Sequence, residues 1–156
     1  MHLGTIAAAK AAVRGTLRLL DYGSTRHAYV DDEERFVYKV ARRPERDGTN
    51  IAEHLIFEAM RCTEWAKHAP PTRLIEVMHR IVLVMPYYAD VVTNHDAADK
   101  LDKKLYKSGV MHDNGYFNMR LDKRGTIKVI DGGEWGWDSP VDMMIQVGQE
   151  GKCQQW

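Results

Sequence analysis

Lys39, Glu53, Asp113, Asn118 and Asp131 have the types and the order needed to handle a polyphosphate and a divalent cation. The densest stretch is His112-Asp113-Asn114-Gly115-Tyr116-Phe117-Asn118, followed by Met119 to Gly125 and then Ile127-Lys128-Val129-Ile130-Asp131-Gly132-Gly133. A carboxylate, four residues, an amide, a hairpin and a second carboxylate at the end of an apolar strand would set three oxygen ligands at one mouth. Oxygen ligands suit Mg²⁺, which keeps several waters and takes further oxygens from phosphates. Phosphoryl transfer asks little covalent chemistry of a protein. It needs the triphosphate held in line, the metal bridging its oxygens, and a carboxylate near the attacking hydroxyl. The plainer reading of the same residues makes Asp113 and Asn118 turn residues and Asp131 a strand-end cap.

Two earlier stretches supply complementary charge. Lys39 sits within Phe36-Val37-Tyr38-Lys39-Val40-Ala41, an apolar strand pattern in which an unpaired ammonium would be costly. The other reading is an edge strand from which the lysine snorkels to water. A turn around Gly23 and Ser24 precedes it, either an ordinary hairpin turn or a cover for phosphates. A buried lysine wants a carboxylate, and the next helix offers Glu53 and Glu58. Five positions place those two about 140° apart on a helix, so only one can face inward. Glu53 shares a face with Asn50 and Phe57 and is the choice; Glu58 is then a surface residue.

The elements that must position these groups read as follows. A short N-terminal helix runs through about Leu20. Residues 21–30 are strand, glycine turn, strand, and 35–41 is a third strand with the β-branched and aromatic residues that sheets favour. Thr49 or Asn50 caps a helix running to about His68, ended by Pro70-Pro71. Leu74 to Met78 and Arg80 to Met85 are strands around a His79-Arg80 turn, and Pro86 to Asp90 is a connector. Ala97 to Ser108 is a lysine-rich helix with Leu101 and Leu105 inward. Met119–Leu121 and Thr126–Ile130 pair as a hairpin, and Ser139-Pro140 opens a last short helix. The plan is α+β, with an antiparallel sheet first and two lobes around a cleft.

Composition narrows the classes further. The chain has 156 residues, one domain by length, with 22 basic and 22 acidic side chains and zero formal charge. That balance gives no electrostatic case for nucleic acid or an anionic membrane as partner. No apolar run approaches the roughly 18 residues of a membrane span, and the alanine-rich start lacks the basic region of a secretory signal. Cys62 and Cys153 match neither a metal spacing nor a disulfide framework, so reduced thiols in a cytoplasmic protein are expected. The seven histidines show no zinc-like spacing. Trp135, Trp137 and Trp156, with Met143 and Met144, are either core or an interface patch that would support self-association.

The Asp113-to-Asn118 spacing and the hairpin from Asn118 to Asp131 resemble the catalytic loop and metal-binding strand end of protein kinases. With the Gly23 turn, the Lys39 strand and the Asn50/Glu53 helix, the chain resembles small kinase-like proteins of bacteria and bacteriophages, of the early host-shutoff kinase type. The resemblance covers most of residues 20–133. It implies one kinase-like domain, with an N-lobe at about 20–88, a hinge at about 86–90 and a reduced C-lobe at about 91–156. It implies that Gly23, Ser24 and Lys39 contact the phosphates of ATP, that Glu53 holds Lys39, and that Asp113 is the catalytic base. It further implies that Asn118 and Asp131 bind Mg²⁺ and that Met85 and Tyr87 lie beside the adenine. His112 directly precedes Asp113, and Gly132 replaces the aromatic middle residue of the family's metal-binding triad. Little length follows Asp131 for an activation segment and peptide-binding helices.

The resulting expectation is an ATP- and Mg²⁺-dependent, phage-encoded kinase acting on host protein Ser/Thr or on itself. The alternative is a pseudokinase-like protein that binds and inhibits a host protein without turnover. A small-molecule phosphotransferase is disfavoured, because it needs a larger C-terminal half to shape an acceptor pocket.

Overall fold

Thr5 opens the first helix, α1 (Ile6–Val13), its side-chain oxygen accepting from the Ala8 N–H at 3.0 Å. The computed structural model describes residues 2–107 and 115–131. The helix expected through about Leu20 ends early, at Arg14-Gly15-Thr16. Gly15 adopts φ +70°, Gly15 N–H donates to Ala12 O, and Thr16 N–H donates to Ala11 O, both at 2.9 Å. This pair of bonds is the Schellman ending, which glycine permits because it has no Cβ to clash.

The freed chain enters a five-stranded antiparallel sheet. Its strands are β1 (Arg18–Tyr22), β2 (Arg26–Val30), β3 (Phe36–Ala41), β4 (Arg73–Val77) and β5 (Arg80–Pro86), in the order β1-β2-β3-β5-β4. Directly paired residues share a face, so the register Ala28↔Lys39↔Leu83 sorts the side chains. One face, with Tyr29, Tyr38, Val40, Val82, Val84, Ile75 and Val77, packs on Leu3, Ala9 and Ala12 as a core. The other carries Arg26, Val37, Lys39 and Met85. Gly4, at φ +69°, lets the chain pass Tyr38: a Cβ there would lie 2.6 Å from the phenol oxygen. That oxygen accepts from the Thr5 N–H at 3.1 Å, and burial pushes the phenol pKa up.

The β4–β5 turn uses Met78 and His79 rather than His79-Arg80, with Val77 paired to Arg80. Both turn residues have positive φ, 53° and 58°, as a two-residue turn matched to the sheet twist demands. Neither is glycine or asparagine, which is why the sequence places this turn one residue late.

The second helix, α2 (Gly48–Arg61), begins before Thr49 and stops well short of His68. Thr63 ends it, its hydroxyl and its N–H both bonding to Met60 O. A separate 3-10 turn occupies Ala66–His68. The chain divides into two compact units, residues 1–54 with 71–87 and residues 55–70 with 88–156; the division falls inside α2. In the second unit β6 (Asp90–Val91), β7 (Met119–Leu121) and β8 (Ile127–Val129) form a small antiparallel sheet. Helix α3 (His95–Lys107) buries Ala98, Leu101 and Leu105 on one face, the expected amphipathic stripe. The β7–β8 turn closes through Asp122, whose Oδ1 accepts from the Arg124 and Thr126 N–H groups at 2.9 Å.

The architecture is α+β, antiparallel sheets with helices. Among the described residues no helix is long and apolar enough to cross a membrane. Cys62 is disulfide-bonded, contrary to the reduced thiol expected; the other cysteine, Cys153, lies outside the described residues. A disulfide requires close Cβ atoms in the folded chain, which sequence spacing does not reveal. The helix expected at Ser139, the C-terminal tryptophans and the Met143-Met144 pair also lie outside the described residues.

Candidate functional site

Strand β3 is buried from Val37 to Ala41, and Lys39 inside it is only 6 % exposed. An ammonium in that position needs a strong acceptor. It has one in Glu53, on the helix facing this side of the sheet: Lys39 Nζ lies 2.5 Å from Oε1, and the carboxylate is 1 % exposed. Glu58, five positions on, instead pairs with Arg61 near the surface at 3.0 Å.

A third charge joins the pair. Arg26, on β2, bonds the other Glu53 oxygen through Nη2 and reaches Asn50 Oδ1 through Nη1 at 3.3 Å. Arg26 pairs with Ala41 and Ala28 pairs with Lys39, so both cations stand on one face of the sheet, diagonally placed. One carboxylate thus receives two cations, each through its own oxygen.

What aims Glu53 is a local parting of strands. The pairing of β3 with β5 runs from Phe36↔Pro86 to Lys39↔Leu83 and stops. Beyond that point, backbone groups of both strands would lack partners, and side chains take the missing rungs. Asn50 Nδ2 donates to Lys39 O at 2.9 Å and to Ile81 O at 2.8 Å. Asp47 accepts the Ile81 N–H at 2.9 Å, while Arg80 donates to Ala41 O at 2.6 Å. Arg80 also grips both Asp47 oxygens, at 2.8 to 3.2 Å. Asp47 and Asn50 flank the first residues of α2, so the helix is bolted to the opening between β3 and β5. Glu53 then falls one turn further along, facing Lys39.

The remaining residues singled out in the sequence occupy several places. Gly23 lies in the β1–β2 turn, where a Cβ would meet the Arg26 carbonyl oxygen at 2.8 Å. Ser24 follows it, exposed. Met85 is fully buried on β5, on the same face as Lys39, and the Tyr87 N–H donates to Arg35 O at 2.9 Å. In the second unit, Ile130 N–H donates to Asn118 O at 2.9 Å, extending the β7–β8 ladder by one rung. This brings Asn118 and Asp131 to the same end of one hairpin. Asp113 lies outside the described residues. Among the described residues no three His, Cys, Asp or Glu side chains converge on a metal site. Asn118 and Asp131 are one amide and one carboxylate. Such a sparse oxygen set fits Mg²⁺ held largely by phosphate and water, and does not fit a dedicated protein cage.

Reading the sequence alone missed Arg26, Asp47 and Arg80. Arg26 carried a usable signal, standing two residues before the strand position that pairs with Lys39. Asp47 and Arg80 carried none, because they are 33 positions apart and meet only where two strands part.

No protein-family model matches the chain, and no curated protein matches it in sequence.

Proposed function

We propose that the chain is a reduced protein-kinase-like phosphotransferase that binds ATP with Mg²⁺ and modifies Ser or Thr side chains of a host protein, in a phage-encoded setting. The observation that carries the reading is the buried Lys39–Glu53 pair at 2.5 Å, joining the third strand of an antiparallel sheet to the following helix. Kinases use that pair to present a lysine to the α- and β-phosphates of ATP. Arg26 strengthens the arrangement by holding the second Glu53 oxygen, so the carboxylate cannot turn away from the lysine.

In this reading, Asp113 accepts the proton of the attacking hydroxyl. The hydroxyl oxygen forms its bond to the γ-phosphorus as the bond to the β-phosphate bridging oxygen breaks, releasing ADP. Asn118 and Asp131 hold Mg²⁺, which when bound neutralises charge on the phosphates. Gly23 keeps the β1–β2 turn tight, and Met85 and Tyr87 stand beside the adenine.

The test is transfer of labelled γ-phosphate from ATP to proteins of a bacterial lysate, run beside Asp131→Ala. Wild type should label discrete proteins, and the variant should lose at least a hundredfold in rate. Equal labelling by both, or none by the wild type, overturns the reading.

A further inference from the structure

The end of β3 that leaves the Lys39 pair leads into a second basic feature of different character. An open hollow of about 480 Å³ is lined by Ser24 and Thr25 from the β1–β2 turn and by Arg42, Arg43 and Arg46 from the segment after β3. All three arginines are exposed, and among the described residues no carboxylate lines the hollow. Of the two acids in the same loop, Asp47 is committed to Arg80, and Glu45 is not among the lining residues. Arg42 is held in place: its guanidinium lies 4.9 Å over the Tyr22 ring, and it donates to Tyr22 Oη and Ser24 O, each at 3.3 Å. Among the described residues, Arg43 and Arg46 make no side-chain ion pair.

We infer that this hollow binds a phosphorylated side chain of an acidic peptide. Guanidinium groups match the geometry of phosphate oxygens and bind them bidentately, and arginine clusters are a recurring means of reading phosphorylated segments. A phosphomonoester carries about −1.5 to −2 at neutral pH. Three guanidinium groups therefore exceed what one phosphate needs, and the surplus suits a neighbouring Asp or Glu. The hydroxyls of Ser24 and Thr25 add neutral donors. Among the described residues the lining offers no aromatic or aliphatic side chain on which a base could stack, which argues against a nucleotide. The zero net charge of the chain argues against a long nucleic acid.

As a means of choosing substrates, ones already phosphorylated or rich in acids, the hollow rests on the kinase reading. As a binding site it stands without that reading. The test is fluorescence anisotropy of the full chain with a labelled octapeptide carrying one phosphoserine between aspartates. Its unphosphorylated twin, inorganic phosphate, a single-stranded oligonucleotide and Mg²⁺-ATP serve as competitors. The phosphopeptide should bind at least tenfold tighter than its twin, and the double variant Arg43→Glu/Arg46→Glu should lose at least tenfold. Mg²⁺-ATP, which the kinase reading also brings to Ser24, should leave the preference for the phosphopeptide over its twin intact. Equal binding of the two peptides, an unaffected double variant, loss of that preference in Mg²⁺-ATP, or oligonucleotide binding as tight as the phosphopeptide's would each overturn the inference. Absence of phosphoryl transfer would sink the kinase reading and leave this result standing.

Discussion

Two basic clusters, one carried by β2 and β3 and the other by the β1–β2 turn side of the β3 exit, solve opposite problems. Lys39, buried, and Arg26, part-buried, converge on Glu53. Arg42, Arg43 and Arg46 are exposed around a hollow with no acid among the described residues of its lining. Burial decides the difference. A cation removed from water must be given its counter-charge by the fold itself. A cation left in water needs none and stays available for a ligand that brings its own. The first cluster is built to hold one geometry, and the second to recruit an anion.

The sharpest way to break this comparison is to remove the shared acid. Glu53→Ala strips buried Lys39 and part-buried Arg26 of their common carboxylate and should cost about 3–5 kcal/mol in urea unfolding, the usual penalty for breaking a buried pair. Glu53→Gln, which keeps the shape and an acceptor oxygen, should cost less. A loss below about 1 kcal/mol for the alanine variant would mean that water, not the carboxylate, balances these charges.

A smaller effect isolates the positioning layer beneath. Asn50→Ala leaves the carbonyls of Lys39 and Ile81 without their side-chain donor and should cost about 1–3 kcal/mol. It should also weaken ATP binding measured by calorimetry, because α2 loses part of its anchorage while Lys39 and Glu53 remain. Unchanged ATP affinity would place the aiming of Glu53 elsewhere.

The smallest effect is expected at the exposed cluster. Arg43→Glu/Arg46→Glu should shift stability by no more than about 0.5 kcal/mol, as surface substitutions do. A larger loss would mean that these arginines support the fold, erasing the contrast with the buried pair.

Much of the first cluster was readable because its logic is local. A lysine in an apolar strand demands a partner, and helical spacing left Glu53 as the inward acid. The β7–β8 hairpin was equally readable, since Asp122 and Gly125 are turn residues with local hydrogen bonds. The Met78-His79 turn was not, because its residues lack the usual preference for positive φ and the pairing of Val77 with Arg80 imposes it. The end of α1 was misjudged for a related reason. Leucine and arginine at positions 17–20 are good helix formers, and the Gly15 conformation stops the helix before them.

By itself the sequence determined which strands alternate, which helix faces are apolar, and that Lys39 would need an acid within reach. These follow from periodicity and from the cost of burying charge, both of which act on neighbouring residues. Tertiary structure alone decided that Arg26 would share that acid, and that Asp47, Asn50 and Arg80 would fill the parting of β3 and β5. It also decided that Cys62 is bonded, and that three arginines and two hydroxyls line one hollow. Each of these depends on which distant segments meet, and strand order and register, not local preference, set that.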